Sequence, residues 1–164
     1  LGRIRAVNTT IYTYCAGVYL GACVELAARD RDPRWTRRAQ AVLGAIGSEM
    51  ADPDGVIIGG GTGDGGLFNG ILARYLAVAA LRRPELAPQA RRILLASATA
   101  AWDGRAEVPG GPVFARDWRR PARAPAPGMP EADLSVQLSA WMVTEAAAVV
   151  SRAGWGSWRS RWEW

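Results

Sequence analysis

The chain has 164 residues, of which 49% are apolar and 21% are charged, an ordinary composition for one globular domain. All 20 basic residues are arginine and the formal net charge is +5, but the arginines are dispersed among acidic residues, which disfavours a nucleic-acid-binding surface. The sequence contains no histidine, which excludes histidine general bases, serine–histidine and cysteine–histidine nucleophile pairs, and imidazole metal sites. We expect no cofactor and no bound metal.

The start of the chain lacks the features of an export signal. Residues 1–5 read LGRIR, and no apolar segment with a small-residue cleavage site follows them. Position 1 is not methionine, so we expect the chain to be a piece of a longer protein. Glu25, Arg74 and Glu145 interrupt the most apolar segments, so no membrane span is expected.

Five helices are predicted, and they alternate between two kinds. Helices that are apolar on nearly every side are typical of a buried position, and they are predicted at residues 11–29, 67–82 and 134–153. Helices with one apolar stripe are typical of an outer layer, and they are predicted at residues 33–50 and 87–102. A proline follows the first helix and another follows the third, which prevents either helix from continuing.

The connections between these helices also alternate. Short links at residues 30–33 and 83–85 join a buried helix to an outer one, whereas residues 51–66 and 104–133 form long links back to the next buried helix. This pattern predicts an all-α fold of antiparallel helix hairpins, arranged as a toroid with an inner and an outer layer. We expect function on the long-loop face, because long ordered loops are uncommon unless they are functional.

A glycine-rich loop, residues 59–66, leads into the third helix. Its glycines permit close approach of a ligand to the unpaired N–H groups at the start of that helix, beside Asp64 and Phe68. A purely structural interpretation stays open, in which glycines shape the turn, Asp64 caps the helix and Phe68 belongs to the core.

Three other features carry less information. Trp118 lies on the proline-rich loop 104–133, where its ring either stacks on a ligand or plugs the mouth of the barrel. Cys15 and Cys23 are about 12 Å apart on one helix, which is too far for a disulfide, so both are predicted to be small buried residues. Residues 154–164 form an irregular tail rich in tryptophan and arginine, either a membrane-surface segment or, as we prefer, a stray end.

Three segments together resemble glycoside hydrolase family 76, the bacterial and fungal α-1,6-mannanases. They are TIYTYCAGVYLGA at residues 10–22, GDGGLFNGILARYL at 63–76 and DLSVQLSAW at 133–141. The resemblance covers roughly residues 4–150 and corresponds to the second half of the family's (α/α)6 barrel. It implies that residues 1–153 form about half of an (α/α)6 toroid, with 154–164 as a separate tail.

The resemblance also implies hydrolysis of α-1,6-linked mannose polymers by two adjacent aspartates, one protonating the leaving oxygen and the other acting as nucleophile or base. In the family this pair lies upstream of the part that the chain matches, and no two acidic residues are neighbours here. The family usually reads Tyr-Asn-Gln-Gly where residues 14–17 read Tyr-Cys-Ala-Gly, and it often has lysine at the position of Asn69.

Four residues match the family's motif positions at the barrel mouth: Tyr14, Asp64, Phe68 and Gln137. The resemblance assigns sugar stacking to Tyr14 and Phe68, and hydrogen bonds to sugar hydroxyls to Asp64 and Gln137. Trp118 joins these candidate substrate-binding residues through its loop position alone. No catalytic residue is assigned within this chain.

The sequence therefore favours a fragment of an endo-α-1,6-mannanase-like hydrolase that supplies substrate-groove residues, with an extracellular or cell-surface location implied by the resemblance. The alternatives are a non-catalytic carbohydrate-binding remnant and a helical interaction module. Half a toroid would expose apolar flanks of its inner helices. The expected partners are α-mannan and either the missing N-terminal half or a second copy.

Overall fold

The structure is a computed structural model that describes residues 10–30 and 32–153. Five α-helices and one short β-hairpin make up the regular structure of this part: α1 Thr13–Arg29, α2 Pro33–Glu49, α3 Phe68–Arg82, α4 Ala87–Asp103, β1 Ala106–Val108, β2 Gly111–Val113 and α5 Leu134–Ala153. Two short 3-10 turns, Gly63–Leu67 and Pro130–Ala132, precede α3 and α5. The predicted tail at residues 154–164 lies outside the described residues.

The helices form two layers. α3 packs between α1 and α5 in an inner row, α2 packs on α1, and α4 packs on both α3 and α5. This arrangement confirms the all-α prediction and corresponds to a partial (α/α)6 toroid.

Glycines allow the three inner helices to pack closely, and their contacts show the relative direction of these helices. A Cβ at Gly17 would meet the Leu72 backbone at 2.9 Å, and a Cβ at Gly21 would meet the Tyr75 ring at 2.3 Å. On the other side of α3, a Cβ at Gly70 would meet the Ser139 backbone at 2.8 Å. Along α1, Gly17 meets Leu72 and Gly21 meets Tyr75, so residue numbers increase in the same direction in α1 and α3. In the same way, Gly66 meets Ser135 and Gly70 meets Ser139 in α5. The three inner helices are therefore parallel, and their N-termini lie at one end, together with the long loops.

Some details differ from the sequence prediction. α1 begins two residues later than expected, and residue 67 belongs to the 3-10 turn rather than to α3. The proline-rich loop 104–133, for which no strand was predicted, contains the antiparallel hairpin β1–β2. Gly110 and Gly111 make the hairpin turn with φ values of +113° and +129°, which are accessible mainly to glycine.

Two flanks of the inner row have no helix packed against them within the described part of the chain. The α1 edge consists of Ile11, Val18, Tyr19 and Leu26, and the α5 edge of Leu134, Leu138 and Trp141. Leu134 is 80% exposed and Trp141 is 68% exposed. Exposed apolar flanks were expected for half a toroid. The prediction of two buried cysteines is wrong for one of them, because Cys15 lies on the exposed side of α1 while Cys23 is buried.

α5 is, among the described helices, the one long and apolar enough to span a membrane by length and composition, although no span was expected from the sequence. One third of the residues in its apolar segment are buried against the rest of the protein. Core helices of globular proteins meet the same criterion, and α5 packs on α3 and α4.

Candidate functional site

An aromatic cluster lies at the N-terminal end of the inner row. The rings of Tyr14 on α1 and Phe68 on α3 have centroids 4.4 Å apart, and Tyr12 lies 6.0 Å from Tyr14 and 5.8 Å from Phe68. All three rings are partly exposed. The cluster therefore presents an accessible aromatic surface at the loop end of the inner row.

A buried amide holds the two helices of this cluster in register. Asn69 is 5% exposed. Its side-chain oxygen accepts a hydrogen bond from the Thr13 hydroxyl at 2.9 Å, and its amide nitrogen donates to the Gly59 carbonyl at 3.3 Å. Asn69 thus ties α1, α3 and the glycine-rich loop together directly behind the rings, although the sequence analysis assigned it no role.

Asp64 lies in the 3-10 turn just before Phe68, and its carboxylate is exposed. It is not a helix cap, because within the described residues no backbone N–H at the start of this turn or of α3 donates to its carboxylate. Within residues 10–30 and 32–153 the Asp64 carboxylate has no hydrogen-bond or ion-pair partner. The capping role that the sequence left open is therefore not adopted, and both oxygens remain available to a ligand.

Asp133 fixes the other end of the glycine-rich turn. Its Oδ2 accepts a hydrogen bond from the Gly63 N–H at 2.6 Å, and its Oδ1 accepts from the Ser135 N–H at 2.9 Å and from the Ser135 hydroxyl at 2.7 Å. These bonds, that from Gly63 first, hold the pKa of Asp133 below its ordinary value. One carboxylate therefore caps α5 and anchors the turn that carries Asp64.

Gln137 has a structural position in α5. Its side-chain oxygen accepts from the Phe114 N–H at 2.9 Å, and its amide nitrogen donates to the carbonyls of Phe114 and Glu131 at 3.0 and 3.1 Å. The amide holds the long loop against the helix, so it is already engaged and is not free for the sugar hydroxyls that the family resemblance assigned to it.

Trp118 also differs from its assignment as a stacking residue. It is 3% exposed and belongs to the hydrophobic core, which also includes Phe114 at 8% exposure. A ring with no free face cannot stack on a ligand, so the position of Trp118 agrees with the alternative of a hydrophobic plug.

Among the described residues, the aromatic cluster has the single carboxylate Asp64 four residues before Phe68, and it has no acid–base pair. Interaction with the neighbouring Cys15 side chain is the largest cause that raises the pKa of the Tyr14 phenol above 10.0, so at neutral pH the phenol is a neutral hydrogen-bond donor. Sequence reasoning missed Tyr12, whose signal was an aromatic residue two positions before Tyr14. Among the described residues no group of histidine, cysteine or acidic side chains is arranged to hold a metal ion.

Comparison with solved structures identifies similar folds. The α-1,6-mannanase of Salegentibacter sp. HEL1_6 is 26% identical with a TM-score of 0.73, and the match covers 87% of this chain and 41% of that enzyme. An inactive variant of it, carrying substitutions of two neighbouring aspartates and solved with α-1,6-mannotetrose, matches at 27% identity with a TM-score of 0.72, covering 86% of this chain and 40% of that one. The chain thus spans about two fifths of the length of these relatives.

Dfg5 from Chaetomium thermophilum, solved with glucosamine, has a TM-score of 0.72 at 21% identity, covering 92% of this chain and 37% of that one, and shows the fold alone. No curated protein sequence matches the chain. The sequence profile described as "Glycosyl hydrolase family 76" matches residues 2–155, which is nearly the whole chain. The protein belongs to glycosyl hydrolase family 76.

Proposed function

We propose that this chain forms one wall of the substrate groove of an α-1,6-mannanase-like domain and binds α-1,6-linked mannosides at the aromatic cluster. The observation that carries the proposal is the Tyr14–Phe68 pair, whose rings lie 4.4 Å apart and remain partly exposed at the loop end of the inner row. The mannanase from Salegentibacter, whose inactive variant was solved with α-1,6-mannotetrose, shares this family and this fold.

The cluster offers the two kinds of contact that a neutral sugar needs. The faces of Tyr14 and Phe68 pack against the C–H face of a mannose ring, which removes apolar surface from water. Asp64, one turn before Phe68, accepts hydrogen bonds from sugar hydroxyls, and bonds to an ionised acceptor are stronger than neutral ones. Gln137 bonds the backbone of the long loop and Trp118 is buried in the core, so neither is assigned a contact with the sugar.

Hydrolysis requires a second part of the toroid. Glycosidic cleavage uses two carboxylates that face each other across the bond. No two acidic residues are neighbours in this sequence, so the adjacent pair that the family resemblance implies is not present in it. The pair would come from the three fifths of a family-76 domain that this chain does not span. An extracellular or cell-surface location belongs to the same proposal.

The exposed flanks of the inner row support the proposal that the catalytic pair comes from another part of the toroid. The α1 edge and the α5 edge present large apolar side chains to solvent at the two ends of a three-helix row. Patches of this kind mark surfaces that another element covers. Further helices of a toroid, from the rest of a family-76 domain or from a second copy, would cover both edges.

Binding is tested by calorimetric titration with α-1,6-mannotriose. Phe68→Ala should weaken binding on the order of tenfold, because it removes one stacking face. Trp141→Ala is the matched control, since Trp141 is also an exposed aromatic residue but lies on the α5 edge. Equal affinities of wild type and Phe68→Ala would remove the aromatic cluster from the proposal.

A non-catalytic carbohydrate-binding remnant is the second candidate. It is favoured by Cys15 and Ala16, because they place small, weakly polar side chains where the family usually has asparagine and glutamine. A chimera separates the two candidates: residues 10–153 replace the matching segment of the Salegentibacter mannanase, whose two aspartates are retained. Cleavage of α-1,6-mannan supports the groove proposal, whereas mannotriose binding without cleavage supports the remnant.

A further inference from the structure

The free flanks of α1 and α5 carry two stripes of side chains with the same spacing. The steps between successive positions are four, three, four and four residues in both stripes, which keeps each stripe on one face of its helix. The α5 stripe consists of Leu134, Leu138, Trp141, Glu145 and the half-buried Val149. The α1 stripe consists of Ile11, Cys15, Val18, Ala22 and Leu26, all exposed. Both stripes belong to the edges of the inner row that no described helix covers.

The two stripes lie at the same height along the inner row. Gly17 of α1 lies against the Leu72 backbone, and Gly70, two residues before Leu72, lies against the Ser139 backbone. Since the three helices are parallel, Gly17 is level with Trp141 of α5, and the next residue of α1 holds the same place in its stripe as Trp141. The stripes therefore agree in height to within one residue, about 1.5 Å. A parallel α1 placed beside α5 would bring them together position by position.

The side chains of the two stripes differ in size in a complementary way. Trp141, which is 68% exposed, is the largest side chain of the α5 stripe. On the α1 stripe, the residues one turn to either side of its level are Cys15 and Ala22, which are small and leave room for the indole ring. The charged member of the α5 stripe, Glu145, is paired with Arg152 of the same helix at 3.8 Å. The stripes thus suit each other as packing surfaces.

We propose that a second copy of this chain covers both edges, with the α5 edge of each copy packed against the α1 edge of the other. The chain supplies three parallel inner helices, which is half of the six in an (α/α)6 toroid. Two copies related by a two-fold axis along the toroid axis therefore close a ring of six inner helices and leave neither edge exposed. A contact between two α5 edges would leave both α1 edges in water.

Closure favours two copies over a single edge contact. A ring of two copies has two equal junctions, so it buries twice the apolar area of one junction, and stable interfaces bury about 1,200–2,000 Å² in total. The ring also places both aromatic clusters at the same end, because all inner helices are parallel and have their N-termini there. The spacing, height and size of the stripes carry the proposal, and it does not depend on sugar binding.

Cross-linking tests the proposed neighbours directly. In the Leu138→Cys variant, the exposed Cys15 of one copy would lie opposite the new thiol of the other, whereas Cys23 is buried. Mild oxidation should give a covalent dimer, and digestion should yield a disulfide-linked peptide that joins positions 15 and 138. Gln40→Cys, at an exposed position of α2, is the matched control. It should give at least about tenfold less covalent dimer joined through position 15.

Light scattering with a pair of charged variants tests the same contact without an added cysteine. The wild type should reach the mass of two chains as its concentration rises. Val18→Arg and Trp141→Glu should each weaken dimerisation at least about tenfold, because each buries an unpaired charge at both junctions. Both positions are exposed, so the helix content measured by circular dichroism should be unchanged. An equimolar mixture should restore the dimer, since one junction is native and the other pairs arginine with glutamate.

Three results would overturn the proposal. A mass of one chain at every concentration would leave the rest of a family-76 domain as the occupant of both edges. A ladder of cross-linked trimers and larger species would show an open row of chains, because a closed ring of two stops at the dimer. A mixture of the charged variants that associates no more than either variant alone would separate the two stripes. All three measurements are made without sugar, so these failures leave the mannotriose test of the proposed function unaffected.

Discussion

α3 and α5 are both largely apolar helices, but they have different surroundings. Both are apolar on nearly every side, and both were predicted to be buried helices. α3 lies between α1 and α5 with α4 behind it, and its Leu72 and Leu76 are wholly buried. α5 has neighbours on one side only, and its Trp141 is 68% exposed. A helix that is apolar on every side is therefore predicted to be buried. The pattern does not show whether the elements that bury it belong to the same chain segment.

The largest expected difference between the two helices concerns leucine truncation. Leu72→Ala in α3 should lower the free energy of unfolding by about 2–5 kcal/mol, because it leaves a cavity in a closely packed core. Leu138→Ala in α5 should cost less than about 1 kcal/mol, since this side chain is 44% exposed. Urea denaturation measures both values. Equal losses would mean that the α5 edge is covered in solution.

The next largest expected effect concerns the glycine contacts between α3 and α5. Gly70→Ala should cost about 1–3 kcal/mol, because its Cβ would lie 2.8 Å from the Ser139 backbone and force α3 away from α5. Gly44→Ala in α2 is the control: its Cβ would meet no atom within 4 Å, so it should stabilise by about 0.5–1 kcal/mol. Thermal and urea unfolding of both variants give the signs. Stabilisation by Gly70→Ala would contradict the close α3–α5 packing.

A charge on the α5 edge tests whether the chain self-associates through this surface. Leu138→Glu should cost about as little as Leu138→Ala, roughly 1 kcal/mol or less, but reduce concentration-dependent association, because the edge is apolar and exposed. Gln40→Glu adds the same charge at an exposed position of α2 and should leave association unchanged. Light scattering over a concentration series measures both. Association that persists in Leu138→Glu would exclude the α5 edge as its origin.

The smallest expected effect concerns the helix starts, since Asp133 caps α5 whereas no side chain caps α3. The pKa of Asp133 is lower in the folded state than its ordinary value of 3.8, so its contribution is full above that value and is lost as the pH falls through the folded pKa. Asp133→Asn should therefore lower the free energy of unfolding at neutral pH. In acid, the free energy of unfolding of this variant should fall less steeply with pH than that of the wild type. Unfolding curves between pH 2 and 6 measure this, and parallel pH profiles would contradict it.

Local chemistry made the helices predictable. Pro33 and Pro84 mark the turns of both hairpins, and the predicted helix bounds differ from the observed ones by two residues at most. The hairpin β1–β2 was missed, although Pro109-Gly-Gly-Pro112 between Val108 and Val113 has the composition of a hairpin turn. The proline content of the loop masked that signal.

The candidate site was predictable only in part. Motif matching selected Tyr14, Asp64 and Phe68 as candidates, and the structure brings the rings of Tyr14 and Phe68 into contact. The positions of Gln137 and Trp118 depend on tertiary contacts that the sequence does not show. Gln137 turns its amide to the backbone of the long loop, and Trp118 is buried in the core. The identity of a glutamine or a tryptophan in the sequence does not show whether its side chain faces a ligand or packs inside the protein.

The most direct test of the central claim is an NMR titration of the chain with α-1,6-mannotriose. Amide shift changes are expected at residues 12–14 and 63–69, where the aromatic cluster and the glycine-rich turn meet, and none are expected along α2. Absent shifts, or shifts confined to the α5 edge, would contradict the claim that this part of the toroid carries a sugar-binding wall.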